Sequence, residues 1–224
     1  MNNSLIHVSI AEGDLLNLSD EIDRTLLAGA DVIHLDVLND QGRSVEFRPS
    51  FVNVIREHAK KSIVSVELGA VIDKSNIKAL AEESVDYISF SPAVVDDISS
   101  AAKMIKDCGC KAGLSFDFEG DMEKYSTFFD QFDFVNISLC KAEANDGNLS
   151  GKDLAKVSFA KNIIDKVHGD PSIWVAGEIT SKNISVLLEL GVTGFIIGRS
   201  LFQSQDYYTM IAGLKKVIRS YAMS

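Results

Sequence analysis

The sequence predicts a (β/α)8 barrel, and three observations carry that prediction. Eight short apolar stretches recur, at residues 5–10, 31–37, 62–68, 85–90, 111–116, 132–139, 172–176 and 193–198. A segment of helical periodicity follows each of them. No Pro-, Gly- or Ser-rich linker breaks the alternation, and the 224 residues contain only three prolines. Open doubly wound sheets alternate in the same way, so the number of units favours closure. Each unit has about 28 residues, compact but sufficient for this architecture. The span 1–224 therefore reads as one domain.

Taken in order, the first stretch, "LIHVSI", places His7 and Ser9 two apart, with His7 reading as a filler at an inward strand position. "LSDEIDRTLLAGA" is the first helix, ending near Gly29. The second strand, "DVIHLDV", carries Ile33, Leu35 and Val37 on one face and His34 and Asp36 on the other, because strand side chains alternate. A run this apolar is normally covered on both faces, where two unpartnered polar groups would be costly. His34 and Asp36 therefore require a metal, a substrate or each other. "RPSFVNVIREHAK" is the next helix, and "SIVSVEL" the strand that brings Glu67. Glu67 is either a third ligand-capable group or a carboxylate bonded to His34.

"SNIKALAEES", "VDYISF" and "VVDDISSAAKMIKDCG" continue the alternation, and "KAGLSF" leads to Asp117. "DMEKYSTFFDQ" and "FDFVNISL" follow, the latter with Asn136 and Ser138. "GKDLAKVSFAKNIIDKVHG", "SIWVA" and "SKNISVLLELG" lead to "TGFIIG" and the closing helix "DYYTMIAGLKKVIRSYA". Several helices open on Ser or Asp caps and close on Gly29, Gly109, Gly169 or Gly191. A barrel of this kind builds its site from the loops at the C-terminal ends of the strands. His34, Asp36, Glu67, Asp117, Asn136, Ser138, Glu178 and Arg199 all fall there. Asp117 and Asp146 read as turn formers, since Asp commonly shapes loops. Gly198-Arg199-Ser200 closes the last strand on backbone N–H groups and a planar cation, suited to an anion such as phosphate. "DGNLSGK", with Asp146, Gly147, Ser150 and Gly151, reads as a glycine-rich loop over the mouth.

Bulk properties exclude several classes. The chain is 46% hydrophobic and 24% charged, an ordinary globular composition. Its net charge of −10, without a basic stripe, argues against nucleic acid. No apolar run approaches the ~18 residues of a membrane span, and "MNNSLIHVSIAEGD" lacks a signal pattern. Three cysteines, Cys108, Cys110 and Cys140, are too few and too sparse for a zinc site. The expectation is a reduced, cytoplasmic, soluble protein.

"VSIAEGDLLNLSDEIDRTLLAGADVIHLDVLND", "VEFRPSFVNVIRE", "CKAGLSFDFEGDMEKYSTFFDQFDFVNIS" and "VTGFIIGRSLFQSQDYY" resemble, in order and spacing, the ribulose-phosphate 3-epimerase family. The resemblance runs nearly end to end. It implies a ribulose-phosphate-binding barrel that takes a phosphorylated ketose, with Ser9 at a substrate-contacting position. Members of that family hold one divalent metal with two His and two Asp, the two Asp serving as acid and base on opposite faces of C3. His34 and Asp36 match. Glu67 stands at the next ligand, a family His, and Ala176 at the last, a family Asp. Ala176 can neither ligate nor move a proton, so Glu178, two residues on, becomes the stand-in for the second acid/base.

Glu178 occupies a family glycine, which sets it against an incoming phosphate. The resemblance thus implies a site with Asp36 and Glu178 catalytic, His34, Asp36 and Glu67 on the metal, and Ser9, Gly147, Gly177, Gly198, Arg199 and Ser200 on the substrate. The expected cofactor is a divalent ion of the zinc, manganese or iron class, held weakly or not at all. The expected partners are a phosphorylated sugar and further copies of the chain, without nucleic acid or membrane. Ala176 also feeds a rival, a barrel without catalysis that binds a sugar phosphate or a protein partner. The second half, "DGNLSGKDL" and "GEITSKNISVLLELGVTGFIIGRSLF", is also similar to the phosphoribosyl isomerases of histidine biosynthesis. That likeness reads as shared phosphate-barrel ancestry.

Overall fold

The computed structural model describes residues 4–37, 49–59, 61–69, 74–139 and 148–223. Eight parallel strands close into a ring in sequence order: β1 Leu5–Ser9, β2 Val32–Val37, β3 Ile63–Leu68, β4 Tyr87–Phe90, β5 Lys111–Phe116, β6 Phe134–Ser138, β7 Ser172–Ala176 and β8 Val192–Ile197. The expected (β/α)8 barrel is the observed one. The helices between the strands are α1 Leu18–Leu27, α2 Pro49–His58, α3 Lys74–Glu82, α4 Ile98–Asp107, α5 Met122–Tyr125, α6 Gly151–Ile164, α7 Ile184–Glu189, α8 Arg199–Phe202 and α9 Tyr207–Ala222. Among the described residues no helix is long and apolar enough to cross a membrane.

Caps explain where several helices begin. Asp97, Asp121 and Asp206 accept the backbone N–H groups of Ser100, Lys124 and Thr209. Ser150 and Asp153 form a reciprocal capping box at α6. Ser150 is therefore a helix cap, and the "DGNLSGK" loop ends in punctuation. At the other ends, Gly29, Gly109 and Gly191 take positive φ as C-terminal glycines do, but Gly169 does not. It lies beyond the end of α6, and a Cβ there would come within 2.7 Å of the Asp130 carbonyl oxygen. Close approach of two chain segments, not helix termination, accounts for it.

Outward strand residues such as Ile33, Leu35, Val64, Val66, Leu114 and Val135 are buried in one core. The inward residues fall into two layers of different character. Toward the N-terminal ends the barrel is filled by rings: Phe134 stacks on Trp174 at 3.8 Å, and Tyr87 meets both edge-on. Glycines on neighbouring strands leave room for them. A Cβ on Gly113 would lie 2.2 Å from Phe134, and one on Gly194 2.4 Å from Trp174. Above this floor the inward side chains of β1 to β6 turn polar: Ser9, His34, Asp36, Ser65, Glu67, Ser89, Ser115 and Asn136.

A repeated device fixes register at the N-terminal ends. Asp31, Asp86 and Asp133, each just before an even-numbered strand, accept through the side chain from Ile6, Val64 and Ala112 N–H. Each donates its own N–H to the carbonyl of the same residue. The preceding strand is thereby clasped at two points, and every inward position above it is set.

Candidate metal and active site at the barrel mouth

Register places Asp36 beside Glu67 and His34 beside Ser65 on adjacent strands β2 and β3. One ligand atom from each of His34, Asp36 and Glu67 lies within 4.8 Å of the others. Each side chain is held from behind. His34 Nδ1 and Ser65 Oγ are 2.9 Å apart, Ser9 Oγ donates to Asp36 Oδ2 at 3.1 Å, and Asn136 Nδ2 donates to Glu67 Oε2 at 2.9 Å. Among the described residues hydrogen bonds of these two groups run instead between His34 Nδ1 and Ser65 and between Asn136 and Glu67 Oε2. His34 Nε2 stands 3.9 Å from Asp36 Oδ1, beyond hydrogen-bond reach.

The electrostatics follow from burial. Burial lowers the His34 pKa, and the Asp36 charge only partly opposes it. His7, wholly enclosed, is held well below the usual imidazole value, first by burial and then by His34. Glu67 is pushed from its ordinary 4.5 to about 7, mainly by burial and next by Asp36, against hydrogen bonds from Ser115 and Asn136.

A neutral imidazole and two crowded carboxylates, each with an outer partner, fit a divalent cation. The cation would relieve the repulsion between Asp36 and Glu67. Between pH 4.5 and about 7 the folded protein keeps a proton on Glu67 that the unfolded chain has released. Without metal, stability contributed by this group therefore falls as pH rises through that window. Metal binding must displace the proton, so Mn2+ affinity should rise with pH up to about 7, with proton release on binding. Calorimetry in buffers of different ionisation enthalpy checks this, and Glu67→Gln should abolish the release. Uptake without proton release at pH 6 would contradict it.

Across the ring from β3 lies β7. Its inward residue Ala176 pairs with Ser138 and Ile196 and packs beside the Phe134–Trp174 cluster. The facing wall thus presents a methyl group. Glu178 follows in the loop, half-buried, its carbonyl accepting from Asn183 Nδ2 at 2.8 Å. Its carboxylate is not part of the ligand-capable group among the described residues.

The last strand ends at a different kind of surface. Gly198 leads into the single turn α8, and its carbonyl accepts from the Leu201 and Phe202 N–H groups. Ser200 Oγ is buried there without a partner, as are His7 Nε2 and Asn136 Oδ1 among the described residues. Arg199 reaches Glu12 in the turn after β1, 3.6 Å from Nη2 to Oε1. A Cβ on Gly198 would come 3.2 Å from Glu12 and 3.3 Å from the Ser9 carbonyl, which ties the ends of β8 and β1 together. Gly177 has φ +147, and its N–H donates to the Ile196 carbonyl. Asp117 accepts from Glu119 N–H and Gly120 N–H, the turn role its position implies. Asp146 and Gly147 lie outside the described residues.

Sequence reading missed Ser65 and Glu12. Inward phase on β3, two residues before Glu67, could have found Ser65. Glu12 carries no periodic signal, because a turn places it.

The (β/α)8 fold carries at its C-terminal mouth a carboxylate–imidazole cluster that could hold a metal ion. A family model described as the ribulose-phosphate 3 epimerase family matches residues 5–202, and the chain belongs to that family. It is 25% identical over 223 residues to a ribulose-phosphate 3-epimerase of Buchnera aphidicola subsp. Baizongia pistaciae, covering 98% of each. To the enzyme of that name from Escherichia coli strain K12 it is 24% identical, covering 94% of each. A 3-keto-L-gulonate-6-phosphate decarboxylase from Vibrio cholerae superposes with TM-score 0.74 at 13% identity, covering 98% of this chain and 99% of that one. That likeness is one of fold.

Proposed function

We propose that the chain is an epimerase-like isomerase that takes a proton from C3 of a phosphorylated ketose and returns one to the same carbon. The observation that carries this reading is the convergence of His34, Asp36 and Glu67 within 4.8 Å, at the mouth of a barrel of this family. A divalent ion of the zinc, manganese or iron class, held by those three residues, would supply positive charge to substrate oxygens as the proton leaves. Asp36 is the base, kept in place by Ser9. Glu178, extended from beyond Ala176, serves the opposite face, because inversion requires proton transfer on both sides. Ser9 also stands where the substrate enters. A cytoplasmic assembly of several copies, without nucleic-acid or membrane partners, belongs to the same proposal.

The phosphate is assigned to the end of β8, between Gly198, Arg199 and Ser200, with Gly177 bare beside it and Gly147 contributing from its loop. Support comes from the orphaned Ser200 hydroxyl. Arg199→Ala should weaken inorganic phosphate about tenfold, as expected for loss of one charged contact. Glu12→Gln should strengthen it, since Glu12 competes for Arg199. Phosphate-dependent shifts in melting temperature measure both. Unchanged protection in Arg199→Ala would remove Arg199 from the subsite.

A second reading, a barrel that binds a sugar phosphate without turning it over, is favoured by Ala176 alone. Deuterium incorporation at C3 of a ketose 5- or 6-phosphate in heavy water separates the two. Exchange by the wild type supports the isomerase. Phosphate-dependent stabilisation with no exchange supports the binding protein.

A further inference from the structure

We infer that His7 and Ser65 form, with His34, a one-way hydrogen-bond chain that fixes the tautomer of His34 and keeps its Nε2 lone pair toward Asp36 and Glu67. Ser65 Oγ lies between two imidazoles, 2.9 Å from His34 Nδ1 and 3.4 Å from His7 Nδ1. A hydroxyl has one proton, so it can donate to only one of two neutral imidazoles, and accepting from both would leave that buried proton unbonded, since among the described residues its hydrogen bonds are to these two rings. Two arrangements remain. In the first, His34 Nδ1–H donates to Ser65, Ser65 donates to His7 Nδ1, and His7 carries its proton on Nε2. In the second the direction reverses, leaving a bare lone pair on His7 Nε2 and a proton on His34 Nε2.

The surroundings of His7 select the first. Its Nε2 is buried with no hydrogen-bond partner. The rings packed on the imidazole are Trp174 at 4.3 Å and Tyr87 at 6.4 Å. An N–H rests favourably on an electron-rich aromatic face, whereas a lone pair there is repelled by it. Full burial keeps both imidazoles neutral, so neither escapes the choice by taking a second proton. The aromatic floor therefore dictates which nitrogen of His34 is available at the mouth, one layer above. His7 and Ser65 are positioning residues. They touch no substrate, and their role is to present His34 in its ligating form.

This inference deepens the metal-assisted reading, and its purpose rests on that reading, but its geometry can be read without metal. The protein has four histidines, which keeps a 15N–1H correlation spectrum of the side chains simple. In metal-free wild type near pH 8, His34 should be protonated on Nδ1 only and His7 on Nε2 only. Ser65→Ala and His7→Phe should each give His34 as a mixture of tautomers, while Ser65→Thr, which keeps the hydroxyl, should retain the single form. Mn2+ affinity should fall about 10- to 100-fold in Ser65→Ala and recover in Ser65→Thr, the range for an outer partner of a metal ligand. Backbone spectra of each variant verify folding. Should Ser65→Ala fail to fold, His7→Phe and Ser65→Thr still decide the matter.

A proton on His34 Nε2 in the wild type, or one unchanged tautomer in both Ser65→Ala and His7→Phe, overturns the chain. Tautomers as stated in a protein that takes up no Mn2+ would uphold the chain and sink the metal-assisted reading instead.

Discussion

Asp36→Asn should reduce deuterium exchange at C3 of a ketose phosphate by 10²–10⁴-fold, the usual cost of removing a positioned acid or base. The amide keeps the shape of the carboxylate and can still accept from Ser9, whose hydroxyl lies 3.1 Å from Oδ2. It cannot take a proton. The change also removes one of the two charges crowded with His34, so Glu67 should lose part of its upward shift and titrate nearer an ordinary carboxylate. Solvent exchange followed by NMR measures the first effect, and a pH titration of Glu67 measures the second. Exchange at the wild-type rate in Asp36→Asn would remove this residue from the chemistry.

Restoring a second acid should have the opposite sign and a comparable size. In the double variant Ala176→Asp, Glu178→Gly, a carboxylate would stand on β7, across the ring from β3, where now a methyl group packs beside Phe134, Trp174 and Ile196. The loop beyond it would lose a negative charge close to the proposed phosphate position. Turnover to the C3 epimer should rise by up to 10²–10⁴-fold if Glu178 is a poor substitute. A wild type without exchange and a double variant without gain would together defeat the impaired-epimerase account. A gain from Ala176→Asp alone, with none added by Glu178→Gly, would separate the acid from the phosphate effect.

How legible the molecule was in its sequence differs by level. The alternation of apolar strands and amphipathic helices specified the barrel because both periodicities reflect burial, and the observed strands lie within a residue or two of those expected. His34 and Asp36 could be assigned to one face because strand geometry leaves no other choice. Glu67 joined them only through the register between β2 and β3, a pairing of distant segments that sequence does not display. The partner of Glu67 proved to be Asn136, 69 positions away and on the far side of the interior. Ser65 and His7 stayed hidden for a related reason: a lone serine or histidine in a strand carries no sign of what it faces. The pairing of Arg199 with Glu12 depends on turns, whose conformations set side-chain directions that no periodicity encodes.

The aspartate clasps have a consequence for how the ring can open. They join β1 to β2, β3 to β4 and β5 to β6, but Gly191 occupies the corresponding place before β8. It is there, between β7 and β8, that the ladder slips, with a register shift between Ile173 and Trp174. Of the four pairs β1–β2, β3–β4, β5–β6 and β7–β8, three are clasped and the fourth is a seam. His34, Asp36 and Glu67 stand on two strands that each belong to a clasped pair, while Ala176, Glu178, Gly198 and Arg199 border the seam. Motion at the proposed phosphate position can run along that seam without moving the cluster of acids and imidazole.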